Sequence, residues 1–568
     1  MKSVNNDMLA LLVLVVTAFV AHFLYMNGFG LYADDYSFTY MGHDDEVFDS
    51  MKSAFLHWPQ GRPFQFSVPW LITLLTEHSG SFIPVYIVAW LIIATNAILV
   101  YCCLRQISPL PVSLVGALVY LLFPADTSKI LLIHALGIQV GLLFTLIGCL
   151  LYLKGARLFA YIISTMALLS YETTWLPILL LPLLTGRINR KWFVAWLKHL
   201  AILALILSAV IAIRAALNEA RVVSIAGTDS YTLFVKSLSL FFLGPLVSGL
   251  TFFIRPYTAI ADGNAVSFFL MIVVAVFLAF VFKKLMKDMP APGMSETTSD
   301  GPQDSVSWLT RIQHDSQLQG GLRLVTVGLL MWMSVYAFSY THWPAFEIAG
   351  RLTSVHSAAS IPTAIIAAGA VWLLACFCRT AARLFQLFSI VSVYLALLAG
   401  FHIVVQNDYV AGWNYQKDYW RQVLTLAPDI RAGTQVFVMR VGDMPATKYV
   451  ETHSWADYKV LSKFYDTGTK DNDLIPKIDI INNTNIDSFK VRNGKLYRRS
   501  MRPMPGGGQH SVVEQLDPDK LIFLMYKKDD SLIRLRHSVT LNKLRIPLPE
   551  PGNKSEFQPT ILYHMVMD

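Results

Sequence analysis

Long apolar runs recur along this chain, and they limit what it can fold into. They lie near 8–30, 82–104, 109–124, 129–152, 157–171, 173–186, 193–215, 265–283, 322–341, 358–378 and 383–405. A bilayer core about 30 Å thick takes about 20 apolar residues as one helix. No water reaches the backbone there, so each run must close its hydrogen bonds internally as an α-helix. The expected fold class is a polytopic α-helical membrane protein with about eleven transmembrane helices. Composition agrees, with 54% hydrophobic and 15% charged residues, against about 25% charged in soluble domains. The first run, from Met8 to Tyr25, is longer than the core of a signal peptide, and no small-residue cleavage site follows it. It is predicted to remain as the first span.

The stretch "YTLFVKSLSLFFLGPLVSGLTFFI" (231–254) decides the topology. The basic loops are "KGAR" (154–157), "GRINRKW" (186–192), "KKLMK" (283–287) and "CRTAAR" (378–383). Lys and Arg collect on the cytoplasmic side, and these four loops share that side only if 231–254 does not cross. The expectation is a re-entrant or interfacial pair of short helices, broken around Gly244 and Pro245, with the N-terminus inside and the C-terminus outside. A crossing would instead put the C-terminal region in the cytoplasm. The net charge of +8 sits largely in such loops, where it sets topology, so nucleic acid is not an expected partner. The five cysteines lie in or beside apolar runs without zinc-ligand spacing, so neither a zinc site nor structural disulfides are expected.

Two parts follow. Residues 1–405 form the membrane part, with an outer loop over 31–81 and a Pro-, Ser-, Thr- and Gly-rich cytoplasmic linker over 285–320. Residues 406–568 are expected to form an extracytoplasmic α/β domain. In it "GTQVFVMRV" and "DKLIFLMYK" read as strands, "KDYWRQVLTLAPDI" as a helix bounded by Pro428 and Gly433, and "RPMPGGGQH" as a loop.

The outer face collects the candidate site residues. Asp34 and Asp35 lie in "YADDYSFTYM" (32–41), just past the first span. They are either caps of a helix start or carboxylates placed to take a proton from a hydroxyl. Arg62 in "HWPQGRPFQ" and Arg351 in "HWPAFEIAGRLTSVHS" are either headgroup anchors or bidentate phosphate ligands. Lys129, at the predicted start of a span, meets an unfavourable helix dipole that a phosphate would offset. Glu172 in "SYETTW" has no Lys or Arg near it in sequence; it is a solvated turn or a functional boundary carboxylate. His342 and His356 are too far apart for one helical face, so no metal site is assigned.

The acidic pair after the first span, the "GRP" before the second, and "DYVAGWNYQKDYWRQVLTLAPDIRAGTQVFVM" (408–439) together resemble the GT-C superfamily of integral-membrane glycosyltransferases. The O-antigen glucosyltransferase-like and protein-mannosyltransferase-like branches are most similar. The resemblance implies a bacterial inner-membrane enzyme that transfers a sugar, with inversion, from a polyprenyl-phosphate donor to an envelope glycan or lipid acceptor such as lipopolysaccharide. It implies Asp34 as general base, Asp35 as its orienting partner and Glu172 as a further acidic position. Arg62, Arg351 and Lys129 would receive the donor phosphate, and Tyr36, His342 and Trp343 would contact acceptor or sugar. No cofactor is implied for all members, although some relatives bind a divalent cation near the acidic pair. A transporter or flippase of lipid-linked sugars, an O-antigen polymerase or ligase, and a non-catalytic envelope scaffold are the alternatives.

Overall fold

The computed structural model describes residues 2–39, 44–185, 189–219, 222, 225, 227–288, 316–339, 345–439, 447–450, 459–468, 471, 473–481, 488–492, 495–503, 509–527, 531–541, 544–552 and 554–567. Most of these residues are helical, and the C-terminal part is rich in strands. Among the described residues eight helical segments are long and apolar enough to cross a membrane: Asn5–Gly28, Ile83–Arg105, His134–Leu153, Arg190–Ala216, Ser230–Ala261, Ala265–Leu285, Arg351–Cys376 and Ala381–Leu426. Leu110–Leu121, Arg157–Leu168 and Glu172–Leu184 are shorter and apolar. Ser316–Ser334 is a further helix, packed along Ser360–Cys376. The residues between it and Asp288, most of the expected linker, lie outside the described residues.

Small residues set the close helix approaches. Gly321 and Gly328 of Ser316–Ser334 meet Gly369 and Pro362 of Ser360–Cys376 so closely that an added Cβ would press on backbone carbonyls. Without water to expel, such van der Waals fit is what holds apolar helices together in lipid.

The 231–254 stretch is not two short helices. It belongs to one helix, Ser230–Ala261, with Pro245 and Pro256 inside it. A proline leaves the carbonyl four residues earlier without its N–H partner. For Pro256 that carbonyl is Phe252 O, and the Tyr394 hydroxyl donates to it at 2.9 Å. Gly244, the expected break point, instead receives the ring of Tyr336.

Residue contacts divide the helix bundle into two ends. At one, Arg105 donates to Asp7 at 3.2 Å, joining the second long helix to the start of the first. At the other, three sequence-distant segments converge: residues 29–39, 122–133 and 345–359. Tyr86 donates to Gly30 O at 2.6 Å, and Tyr32 to Tyr409 O at 2.8 Å. Tyr409 in turn donates to Thr127 O at 3.1 Å.

Ala381–Leu426 has 46 residues and is therefore about 69 Å long, more than twice the thickness of a bilayer core. It runs unbroken through the expected 405/406 boundary and ends before Pro428. Composition changes at 406 inside a continuous helix. Beyond it, Gln435–Met439 pairs in parallel with Lys477–Ile481 and with Leu521–Tyr526, and Leu532–Arg534 adds an antiparallel edge. Both expected strands are present. A second sheet has the order Phe489–Arg492, Lys495–Pro503, Gln509–Leu516, all antiparallel. The "RPMPGGGQH" segment begins and ends in its hairpin strands, and 504–508 lie outside the described residues. Arg534 fixes the sheet to the long helix by donating to Leu426 O at 3.2 Å and to Asp429 Oδ2 at 2.9 Å.

Candidate functional site

The chain leaves the first long helix through Phe29–Tyr32 and enters a short 3-10 helix, Ala33–Phe38. Ala33 sits at φ 45°. A side-chain-bearing residue held there costs about 1–3 kcal/mol, and such strain concentrates at functional sites. Asp34 and Asp35 follow directly, and the structure gives them different surroundings.

Asp35 is fully buried. Its Oδ2 accepts from the Tyr32 N–H at 3.1 Å, and its Oδ1 accepts from the Ile133 N–H at 2.8 Å. It thus caps its own helix and ties the 29–39 loop to the 122–133 segment. Burial pushes its carboxyl up to about 7; the Ile133 and Tyr32 amides oppose the rise, and neighbouring Asp34 adds to it.

Asp34 is nine-tenths buried. One oxygen meets Arg351 Nη2 at 2.5 Å. The other, Oδ1, is buried and has no hydrogen-bond partner among the described residues. Burial raises its carboxyl above the usual range, and the Arg351 guanidinium pulls it back down.

Arg351 opens the 3-10 helix Arg351–Ala359, which is anchored from below. The Thr127 N–H donates to Thr353 Oγ1 at 3.1 Å, and Ser357 donates to Asp126 Oδ2 at 2.6 Å. Asp126 also accepts from the Ser128 hydroxyl at 2.6 Å. This buried carboxylate, which the sequence reading passed over, joins the two segments. Gly350, at φ 78°, supplies the turn before Arg351.

Arg62 is not beside Asp34. Its Nε and Nη2 each bond Glu172 at 2.7 Å, its Nη1 bonds Gln65 Oε1 at 2.9 Å, and its guanidinium lies 4.5 Å over the Tyr171 ring. Glu172 also accepts from Arg214 Nη1 at 3.1 Å. Arg214 further donates to Gly61 O at 3.2 Å and to Leu168 O at 3.3 Å. Glu172 is therefore a mostly buried counter-ion between two arginines, not a solvated turn. Arg214 was the missed partner. Its signal was a lone charge in the apolar "AVIAIRAAL" run. The Glu172–Trp175 turn packs on the Arg351–Ala359 helix.

Lys129 points elsewhere. Its ammonium donates to Leu121 O at 2.8 Å and Tyr120 O at 3.3 Å. It closes the C-terminal end of Leu110–Leu121, where the helix dipole favours a cation. The unfavourable helix start inferred from the sequence does not arise, because the next helix begins later. Tyr36 is buried and donates to Gln416 Oε1 at 2.9 Å. His356 is also committed, with one ring nitrogen 2.8 Å from the Tyr336 hydroxyl and the other 2.8 Å from Glu347 O. His342 and Trp343 lie outside the described residues. Among the described residues no three His, Cys, Asp or Glu side chains cluster as metal ligands would.

Fold and site together define a helical, membrane-compatible chain. Its buried charges collect at one end of the bundle, and a strand-rich region rides on a helix that extends from that end. No protein-family model matches this chain, and no curated protein sequence matches it.

Proposed function

We propose that this chain is a membrane glycosyltransferase of GT-C type, acting at the outer face on a polyprenyl-phosphate sugar with Asp34 as general base. The observation that carries the reading is the buried Asp34 Oδ1, without a partner among the described residues, beside a carboxylate oxygen already paired to Arg351. In this reading Oδ1 takes the proton from an acceptor hydroxyl of an envelope glycan or lipid. The hydroxyl oxygen bonds to the anomeric carbon from the face opposite the phosphate. The bond from that carbon to the phosphate oxygen breaks, and polyprenyl phosphate leaves with its electron pair. Arg351, which pairs with Asp34, is the cation that meets the charge developing there in this reading. Asp35 holds the loop, and the Arg62–Glu172–Arg214 clasp holds its far end. Lys129 has no part in this scheme.

The helix ends support the topology of this reading. Arg214 closes its helix at Gly61, and Asp262, just past Ser230–Ala261, pairs with Lys448 at 2.7 Å on the side of the strand-rich region. A crossing by Ser230–Ala261 would carry residues 217–229, with Glu219, Arg221 and Asp229 among them, through lipid as well, where charges are costly. That helix then lies along the outer side. The reading takes the other seven as crossings and adds Leu110–Leu121, Arg157–Leu168, Glu172–Leu184 and Ser316–Ser334, each with its flanking apolar residues, to make eleven. Lys154, Arg157, Arg190, Lys191, Lys283, Lys284, Arg379 and Arg383 then share the opposite, cytoplasmic face.

The test is sugar transfer by purified protein in liposomes supplied with labelled polyprenyl-phosphate hexoses and an envelope-glycan acceptor. Asp34→Asn should lower transfer about 10²–10⁴-fold, the usual worth of a general base, and leave the protein folded. Transfer at the parental rate in that variant, or lipid-linked sugar moving across the bilayer without transfer, overturns the reading.

A further inference from the structure

The Asp34–Arg351 ion pair is lopsided. The Asp34 side chain is 9% exposed and that of Arg351 is 25% exposed. The carboxylate has little access to solvent, while the guanidinium faces partly outward. The segment under Arg351 is held by Thr353 on Thr127 and by Ser357 on Asp126. Its position therefore does not depend on what the guanidinium binds. A guanidinium presents a planar fork that suits a phosphate better than a single carboxylate oxygen does. A carboxylate that already shares its charge with a guanidinium is, in turn, a weak proton acceptor.

We propose that this pair is an exchange latch: a phosphate group of a lipid-linked substrate and Asp34 compete for Arg351, so that the carboxylate is released only when the phosphate is in place. The proposal rests on the reading of Asp34 as the base. It adds an order of events. The phosphate-bearing donor binds first and takes Arg351. Asp34 then has both oxygens available, and the acceptor hydroxyl meets a competent base only after the donor has arrived. When polyprenyl phosphate departs, Arg351 returns to Asp34. No covalent step belongs to the latch itself.

The test is equilibrium binding to the full chain in detergent micelles, without turnover. The probes are a short-chain prenyl phosphate, inorganic phosphate and the matching prenyl alcohol. Asp34→Asn removes the competitor, so prenyl phosphate should bind on the order of tenfold more tightly, a gain of about 1.4 kcal/mol. Arg351→Gln should weaken it by at least the same factor, and Arg351→Lys should fall between. The prenyl alcohol should respond to none of these changes. If inorganic phosphate shows the same tightening, the latch recognises phosphate alone. If only the prenyl phosphate does, the chain contributes to recognition. Asp34→Ala serves should the Asn variant fail to fold. Unchanged or weaker binding in the Asp34 variants overturns the latch, as does unchanged binding in Arg351→Gln. Tightening without sugar transfer by the parent protein leaves the latch and removes the glycosyltransferase reading. Transfer without tightening does the reverse.

Discussion

Glu172→Gln is the most informative single change in the clasp. The carboxylate accepts bonds at 2.7, 2.7 and 3.1 Å from two arginines. Side-chain exposure is 8% for Arg62, 14% for Glu172 and 9% for Arg214. Gln has nearly the same shape but no charge, so both guanidiniums lose the carboxylate they share. Removing one partner of a buried pair costs about 3–5 kcal/mol. Glu219 also acts on Arg62 electrostatically, so the loss is expected to stay within that range. It corresponds to about 10²–10⁴ in the folded-to-unfolded ratio. The assay is equilibrium unfolding in mixed micelles, followed by tryptophan fluorescence, for the parent, Glu172→Gln, Arg62→Gln and the double variant. The single changes should be strongly non-additive, because the second removes a charge already left unpaired. Sugar transfer per folded molecule should stay within a few-fold of the parent. A variant of parental stability whose transfer collapses would show that Glu172 acts in the chemistry and that the clasp is not structural.

Three further outcomes are expected. Folded Asp35 takes up its proton at about pH 7 and the unfolded carboxyl at about pH 4, so the native state binds more protons between them. Stability should therefore be greatest below that window and fall as pH rises through it. Unfolding measured from pH 4 to 8 should show this slope, and Asp35→Asn should flatten it while costing about 1–3 kcal/mol for one unpaired N–H. An unchanged slope in Asp35→Asn assigns it to another group. In Gly30→Ala the new methyl falls inside the indole of Trp413, whereas in Gly28→Ala it comes 3.1 Å from a Val410 methyl, which a shift of a few tenths of an ångström relieves. Monodisperse protein extracted from membranes should be lost in the first and near parental in the second; equal yields contradict the described packing. A compartment reporter fused after Leu426 should signal outside the cytoplasm, and a cytoplasmic signal inverts the proposed topology.

Several elements were legible because their cause is local. The apolar runs map onto helices, since each run must satisfy its own backbone in lipid. The strands in "GTQVFVMRV" and "DKLIFLMYK", and the helix that stops before Pro428, follow from residues adjacent in sequence. The continuity of Ser230–Ala261 was not legible. Gly244 and Pro245 carry breaking propensity, and what overrides it at Gly244 and Pro256 comes from Tyr336 and Tyr394, distant in the chain. The role of Lys129 was not legible for a related reason. The helix end it serves belongs to the preceding segment, whereas its place in the sequence puts it before the following one.

The sequence by itself determined that the chain is helical and suited to a membrane, that a strand-rich region follows, and that Asp34, Asp35 and Arg351 lie in segments between long apolar runs. Only the tertiary structure decided which charge meets which. It set Arg351 against Asp34 across more than three hundred residues and gave Glu172 to Arg62 and Arg214. Hydropathy is a sum over neighbours in the chain, so the sequence carries it openly. An ion pair depends on a separation of a few ångströms in space, and only the packing of distant helices fixes that distance.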